Sequence, residues 1–242
     1  MPGLPPYRIF PLGDAALTLD FGNRIDEKLN DKIIILFESL HQHPIPGMTE
    51  AVPAYSSITL YYDTAQIHKW IQGSASPGEW MRNELEKRCQ EQLPEKSATS
   101  ALMKIPVCYD TEFGYDLAEV ATAKNISKEE VIFLHTSKIY RVYMLGFLPG
   151  FPYMGETDEK IMIPRRVKPR QKVEAGSVGI AGRQTGVYPL ASPGGWQILG
   201  RTPLKLFNAS NKEPTLLNAG DSVQFYPISK DEFESHQGGS AG

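Results

Sequence analysis

Between Gly182 and Pro203 the chain reads GRQTGVYPLASPGGWQILGRTP. Arg183 and Arg201 offer forked donors suited to a carboxylate or a phosphate. Gln184, Thr185, Tyr188 and Ser192 are neutral donors able to fix a ligand's orientation, and Trp196 supplies a flat apolar wall. The glycines let backbone approach a ligand closely, while Pro189, Pro193 and Pro203 stiffen the loops around it. Together these residue types describe a binding pocket. The plainer reading keeps Gly and Pro as turn formers and buries Trp196 in a core, and composition leaves both open.

Other stretches carry weaker signals. MLGFLPGFPYMG supplies aromatics for a core, a pocket mouth or an exposed partner patch. PRRVKPRQK is too short and too broken by proline for a basic helix, so Arg166 and Arg170 read as solvated. His135 falls near the end of a predicted helix, where the dipole favours the imidazolium. An acid–base role and a core or capping role both remain open for it.

Charge is unevenly spread. The net charge is −3 and the pI is about 6.0, which argues against nucleic acid as a partner. Yet residues 160–205 hold nine Lys/Arg against a single acid, Glu174. That asymmetry suggests a surface for anions or for an acidic partner, the alternative being a solvated basic face.

Several chemistries are excluded by pattern. No GxxxxGK[ST] is present, so there is no ordinary ATP-binding loop. GSVGIAG has phosphate-cradle spacing but lies among predicted strands with no helix after it. Ser177 and Ser192 lack the GxSxG elbow. His41 and His43 stand beside Pro44 without a carboxylate or thiolate cluster, so no metal site is expected. The longest apolar run, Ile33 to Phe37, is too short to cross a bilayer, and the first residues show no signal peptide. Cys89 and Cys108 read as reduced thiols in a cytoplasmic protein.

The elements that must position these residues fall into two groups. YRIFPLGDAALTLDFG suggests two strands around Gly13-Asp14. Leu29, Ile33, Leu36 and Leu40 recur at helical spacing, and YSSITLYYD alternates as a half-buried strand does. Ser76 and Glu79 form a capping box, with Met81, Leu85 and Cys89 as the buried stripe behind it. This makes a small α/β sandwich over residues 1–95. A linker is expected at 96–103. Then follow the strand KIPVCYD, the helices YDLAEVATAKN and SKEEVIFLHTS (the latter with a second capping box, Ser127 to Glu130), and the strand KIYRVYMLGF. From Leu148 onward Gly and Pro recur with no helical stripe, which suggests a barrel or sandwich over 104–230. A mobile tail is expected over 231–242. The predicted class is α+β.

The stretches HTSKIYRVYMLGFLPGFPYMG, PRRVKPRQKVEAGSVGIAGRQTGVYPLASPGGWQILGRTP and AGDSVQFYPIS closely resemble the KipI family. Its members are also called 5-oxoprolinase B-type subunits, or the first-subunit domain of allophanate hydrolase. The resemblance implies an N-terminal α/β domain and a C-terminal cyclophilin-like β-barrel. It implies a subunit, inactive alone, of an ATP-dependent enzyme that opens 5-oxo-L-proline to L-glutamate with A- and C-type subunits. ATP is then expected at or shared with a partner, and no metal. Some family members are described as inhibitors of a sporulation sensor histidine kinase, acting on its autophosphorylation. Carried onto this chain, the family pocket implies His135, Arg183, Gln184 and Thr185 as catalytic candidates. Tyr188, Ser192, Trp196 and Arg201 are implied as substrate-binding ones.

Overall fold

The computed structural model describes residues 5–71, 75–91 and 102–238. The chain divides into two compact units, Met1–Thr99 and Ser100–Gly242. The linker expected at 96–103 lies outside the described residues as far as 101, and Leu102 and Met103 already belong to a strand.

In the first unit β1 (Arg8–Pro11) and β2 (Ala16–Asp20) form the expected hairpin. Its turn holds Gly13 at φ +67°, a left-handed conformation that glycine adopts without steric cost. α1 (Glu27–Gln42), β3 (Met48–Pro53), β4 (Ser57–Tyr62), α2 (Thr64–His68) and α3 (Pro77–Gln90) follow. The strands make one antiparallel sheet in the order β1-β2-β4-β3. Leu17 faces Leu60 and Leu19 faces Ile58 across β2 and β4. Strand alternation therefore puts all four on one face, where they meet Leu29, Ile33, Leu36 and Leu40 of α1 and Met81, Leu85 and Cys89 of α3 in one buried cluster. The helix starts follow their sequence signals. Asp26 Oδ1 accepts from Leu29 N at 3.0 Å, and the Ser76–Glu79 capping box is closed in both directions, at 3.2 and 2.9 Å.

The second unit contains β5 (Leu102–Cys108), α4 (Leu117–Lys124), α5 (Lys128–Thr136), β6 (Tyr140–Leu145) and β7 (Pro152–Gly155). A short 3-10 turn at Glu159–Ile161 leads to β8 (Arg170–Val173), β9 (Ser177–Ala181), β10 (Gln184–Val187), β11 (Ser192–Gly194), β12 (Gln197–Arg201), β13 (Ser222–Ile228) and α6 (Lys230–Gly238). Seven strands close a barrel in the order β10-β7-β6-β13-β5-β12-β9, and β8 and β11 pair beside it. Closure removes the unpaired edges that an open sheet would expose. The interior is filled by Ile105, Val107, Val142, Met154, Val178, Ile180, Val187, Leu199, Val223 and Phe225, together with other buried side chains.

Two local expectations change. Ser127 caps α5, accepting from Glu130 N at 3.0 Å, but the Glu130 carboxylate reaches Lys160 at 3.7 Å instead of closing a second box. The tail expected to be mobile from residue 231 starts as α6. Its Phe233 is 2% exposed and stacks on Phe113 with ring centroids 4.5 Å apart, an apolar anchor the polar composition of this stretch concealed.

Candidate functional site

The glycine-rich stretch folds into β10, β11, β12 and their turns, and beside them lies a cavity of about 180 Å³. Its walls are Tyr188 and Trp196 from this stretch, Phe147, Phe151 and Tyr153 from MLGFLPGFPYMG, and Pro193, Gly194 and Gly195 between them. Phe151 is the hub of these rings. It meets Tyr188 edge-on at 5.2 Å and Trp196 edge-on at 5.4 Å, with Tyr153 at 4.9 Å. Edge-to-face contact of this kind holds rings rigidly without filling the space between them. Gly194 is required by that space, since a Cβ there would lie 2.9 Å from Tyr188 ring carbons. Burial pushes the Tyr153 and Tyr188 hydroxyls up, so both stay protonated donors at neutral pH.

Phe147 completes the wall from a strained position. It sits at φ +66°, which is rare for a bulky side chain, and its ring is 61% exposed. Strain of this sort persists where surrounding structure enforces it, and functional sites are where it collects.

Arg165 and Pro169 close the remaining side. Their loop is held by Asp116, the N-cap residue of α4, which is fully buried. Asp116 accepts two hydrogen bonds from Arg170 at 2.6 and 2.8 Å, one from Arg166, and one from Ile198 N at 2.7 Å. Arg166 also reaches Glu119 at 3.0 Å. The hydrogen bond to Asp116 is the main cause that raises the Arg170 pKa above its ordinary value, and its guanidinium lies 5.4 Å from the centre of the Tyr115 ring. Arg166 and Arg170 are therefore an ion-pair core, not solvated charges as the sequence suggested. Asp116 itself escaped notice because its basic partners lie some fifty positions downstream.

The other predicted residues sit elsewhere. His135 is fully buried, with its ring stacked on Phe225 at 4.7 Å. Its Nδ1 is 2.8 Å from the Tyr109 hydroxyl and its Nε2 is 2.9 Å from Thr185 Oγ1. Thr185 donates onward to the Gly179 carbonyl at 3.1 Å. That last bond fixes the direction of the chain: Tyr109 donates to Nδ1, and the Nε2–H donates to Thr185. Burial depresses the His135 pKa to about 3, overriding the helix dipole that favours the charged form.

Arg183 is exposed and pairs with Glu156 at 2.7 Å. Gln184 pairs in register with Gly155 and Ala181. Ser192 Oγ donates to the Pro193 carbonyl at 3.1 Å, and Arg201 Nε donates to the Ala175 carbonyl at 2.7 Å. Among the eight candidates, only Tyr188 and Trp196 line the cavity. A second depression of about 540 Å³, lined by Lys104, Thr136 and Gln224 to Pro227, is larger and more open, and holds none of the eight candidates. GSVGIAG supplies β9 (Ser177–Ala181), a buried strand of the barrel wall with no helix after it, so it is no phosphate cradle. No cluster of metal-ligating side chains occurs among the described residues, and none of their helices is long and apolar enough to cross a membrane.

Residues 7–217 match the family model described as carboxyltransferase domain, subdomain C and D. The chain is 44% identical over 232 residues to a Bacillus subtilis protein that is named as the B-type subunit of 5-oxoprolinase, covering 96% of this chain and 97% of that one. It is 39% identical to the protein of the same name from Escherichia coli O157:H7, covering 91% and 95%. The crystal structure of TTHA0988 superposes with a TM-score of 0.74 at 38% identity, over 88% of this chain, which spans 40% of that longer one. By these matches the chain belongs to the carboxyltransferase subdomain C and D family, among the B-type subunits of 5-oxoprolinase.

Proposed function

We propose that this chain is the B-type component of an ATP-dependent amidohydrolase that opens 5-oxo-L-proline to L-glutamate, working with A- and C-type subunits and inactive alone. The observation that carries the reading is the rigid aromatic cavity. An apolar cavity of about 150 Å³ admits a benzene-sized ring, so 180 Å³ suits a five-membered lactam. Tyr188 and Trp196 contact the ring faces in this reading, and the Tyr153 and Tyr188 hydroxyls are donors for its amide oxygen. ATP is bound at, or shared with, a partner subunit in this reading. Hydrolysing an unstrained lactam is uphill, and ATP supplies the coupling.

The two compact units correspond to an α/β domain and a cyclophilin-like barrel. In this account His135 ties α5 to β10 through Thr185, whose hydroxyl also ties β10 to β9, while Arg183, Gln184, Ser192 and Arg201 stand outside the cavity. Membership of a soluble cytoplasmic complex accords with the reduced, buried Cys89 and Cys108. The alternative of kinase inhibition draws on one feature, the exposed apolar side chains of Phe147, Val167 and Leu190. That rim would serve an enzyme partner equally.

Reconstitution is the test. This chain, the A-type and the C-type subunits are mixed and ATP-dependent glutamate release is assayed with each omitted in turn. Activity should vanish when this chain is left out. Full turnover without it would reject the proposal.

A further inference from the structure

We infer that Arg165 is a specificity-determining residue that selects ring ligands bearing a carboxylate. The inference rests on the proposed lactam site and adds the feature that distinguishes one lactam from another.

The three arginines of the loop are not equivalent. Arg166 and Arg170 are both committed to Asp116, with Glu119 taking a further bond from Arg166. Arg165, between Pro164 and Arg166, lines the cavity, is exposed, and has no acidic partner among the described residues. The one acid in residues 160–205, Glu174, is taken by Lys172 at 2.8 Å. Nearby, Glu156 is taken by Arg183. The loop therefore neutralises its structural arginines and leaves one cation facing an aromatic cavity.

Its placement is also fixed. The carbonyl of Pro164 accepts from Gln197 Nε2 at 3.2 Å, and the Arg166 N–H donates to the Gly195 carbonyl at 2.7 Å. Both neighbours of Arg165 are thus tied to the segment that carries Trp196. A guanidinium whose backbone is held on both sides loses less freedom on binding, and it accepts a carboxylate through two parallel hydrogen bonds. The ring walls offer the apolar body of such a ligand its contact, and Arg165 shares the cavity lining with Tyr153 and Tyr188. The ligand class this geometry recognises is a small planar ring with one carboxylate. The same ring without the carboxylate lacks the contact.

The experiment pairs binding with turnover. The full chain is titrated with 5-oxo-L-proline and with 2-pyrrolidinone, the same lactam lacking the acid, following Trp196 fluorescence against Trp70 and Trp80 background removed by substituting those two with Phe. The reconstituted complex is then assayed with the native chain, Arg165→Gln and Arg165→Lys. The native chain should bind the acid more tightly than 2-pyrrolidinone by roughly 10- to 100-fold, the worth of a charge-assisted hydrogen bond. Arg165→Gln should erase that preference and raise KM by a similar factor with kcat little changed, and Arg165→Lys should recover part of it. Since Arg165 is exposed and outside the Asp116 ion pairs, both variants should keep the native melting temperature. A complex that needs this chain yet shows native KM with Arg165→Gln would overturn the inference alone. A complex indifferent to the chain would overturn the proposed function with it.

Discussion

Asp116 and Arg170 meet end-on, each carboxylate oxygen accepting from one of the two terminal guanidinium nitrogens, at 2.6 and 2.8 Å. The same carboxylate accepts from Ile198 N on β12, so one buried acid ties α4, the Arg165 loop and a barrel strand together. Removing one partner of a buried pair leaves uncompensated charge, which costs about 3–5 kcal/mol when burial is complete. Both arginines keep roughly a quarter of their side-chain exposure, so the lower end applies. Asp116→Ala should destabilise the protein by about 3 kcal/mol in denaturant unfolding and raise KM through the displaced loop. A loss under about 1 kcal/mol would show that the clamp is dispensable.

The buried chain from Tyr109 through His135 to Thr185 makes a pH prediction. The folded pKa of His135 is depressed to about 3, against about 6.5 for an unfolded histidine. A histidine kept neutral by burial binds fewer protons in the folded state, so its contribution is intact above pH 6.5. It is lost as pH falls from there towards 3, at about 1.4 kcal/mol per pH unit. Carboxylates add their own slope at the acid end, so the measurement is a difference. Stability of native protein and of His135→Phe is compared from pH 7.5 to 4.5, and the variant should lack one proton's worth of slope. Nitrogen NMR should show the neutral Nε2–H tautomer across that range. His135 itself titrating near 6.5 in the native protein would refute the assignment.

What the sequence discloses and what it hides divide along physical lines. Helical stripes, the Ser76 box and the Gly13 turn are local patterns, and each forms where the pattern lies. Cavity rings were visible as two aromatic, glycine-broken stretches. Pairings between distant residues were not. The parallel register of Leu102 with Ser222 closes the barrel through segments that carry no local mark of each other. Nothing in PRRVKPRQK distinguishes Arg165 from Arg166 or Arg170, since the difference is made by Asp116. For His135 the sequence leaves an acid–base and a core role open, and its bonds to Tyr109 and Thr185 come from segments far away in the chain.

The terminal helix provides a third prediction. Phe233 of α6 is buried against Phe113, beside Cys108 and Ile228. Truncating a buried phenylalanine costs about 3–5 kcal/mol. This site packs against few neighbours, so Phe233→Ala should cost about 3 kcal/mol, and ending the chain at Ser229 should cost at least as much. If truncation leaves the melting temperature unchanged, α6 contributes nothing to the second unit.

Phe147 offers a test in which stability and binding move in opposite directions. Its φ of +66° places a bulky residue where glycine is at ease, a strain of order 1–3 kcal/mol. With the ring 61% exposed, little burial is lost on removing it, although its edge contacts with Phe151 and Tyr188 go. Glycine also gains freedom in the unfolded chain, which offsets about 1 kcal/mol of the relief. Phe147→Gly should therefore leave stability equal to native or up to about 1 kcal/mol higher, while the missing wall raises KM for 5-oxo-L-proline several-fold in the reconstituted enzyme. Phe147→Ala keeps the strain and loses the wall, so it should be less stable than Phe147→Gly with the same KM defect. If alanine proves the more stable of the two, the backbone is not strained there. If neither changes KM, the ring is no part of the ligand's enclosure.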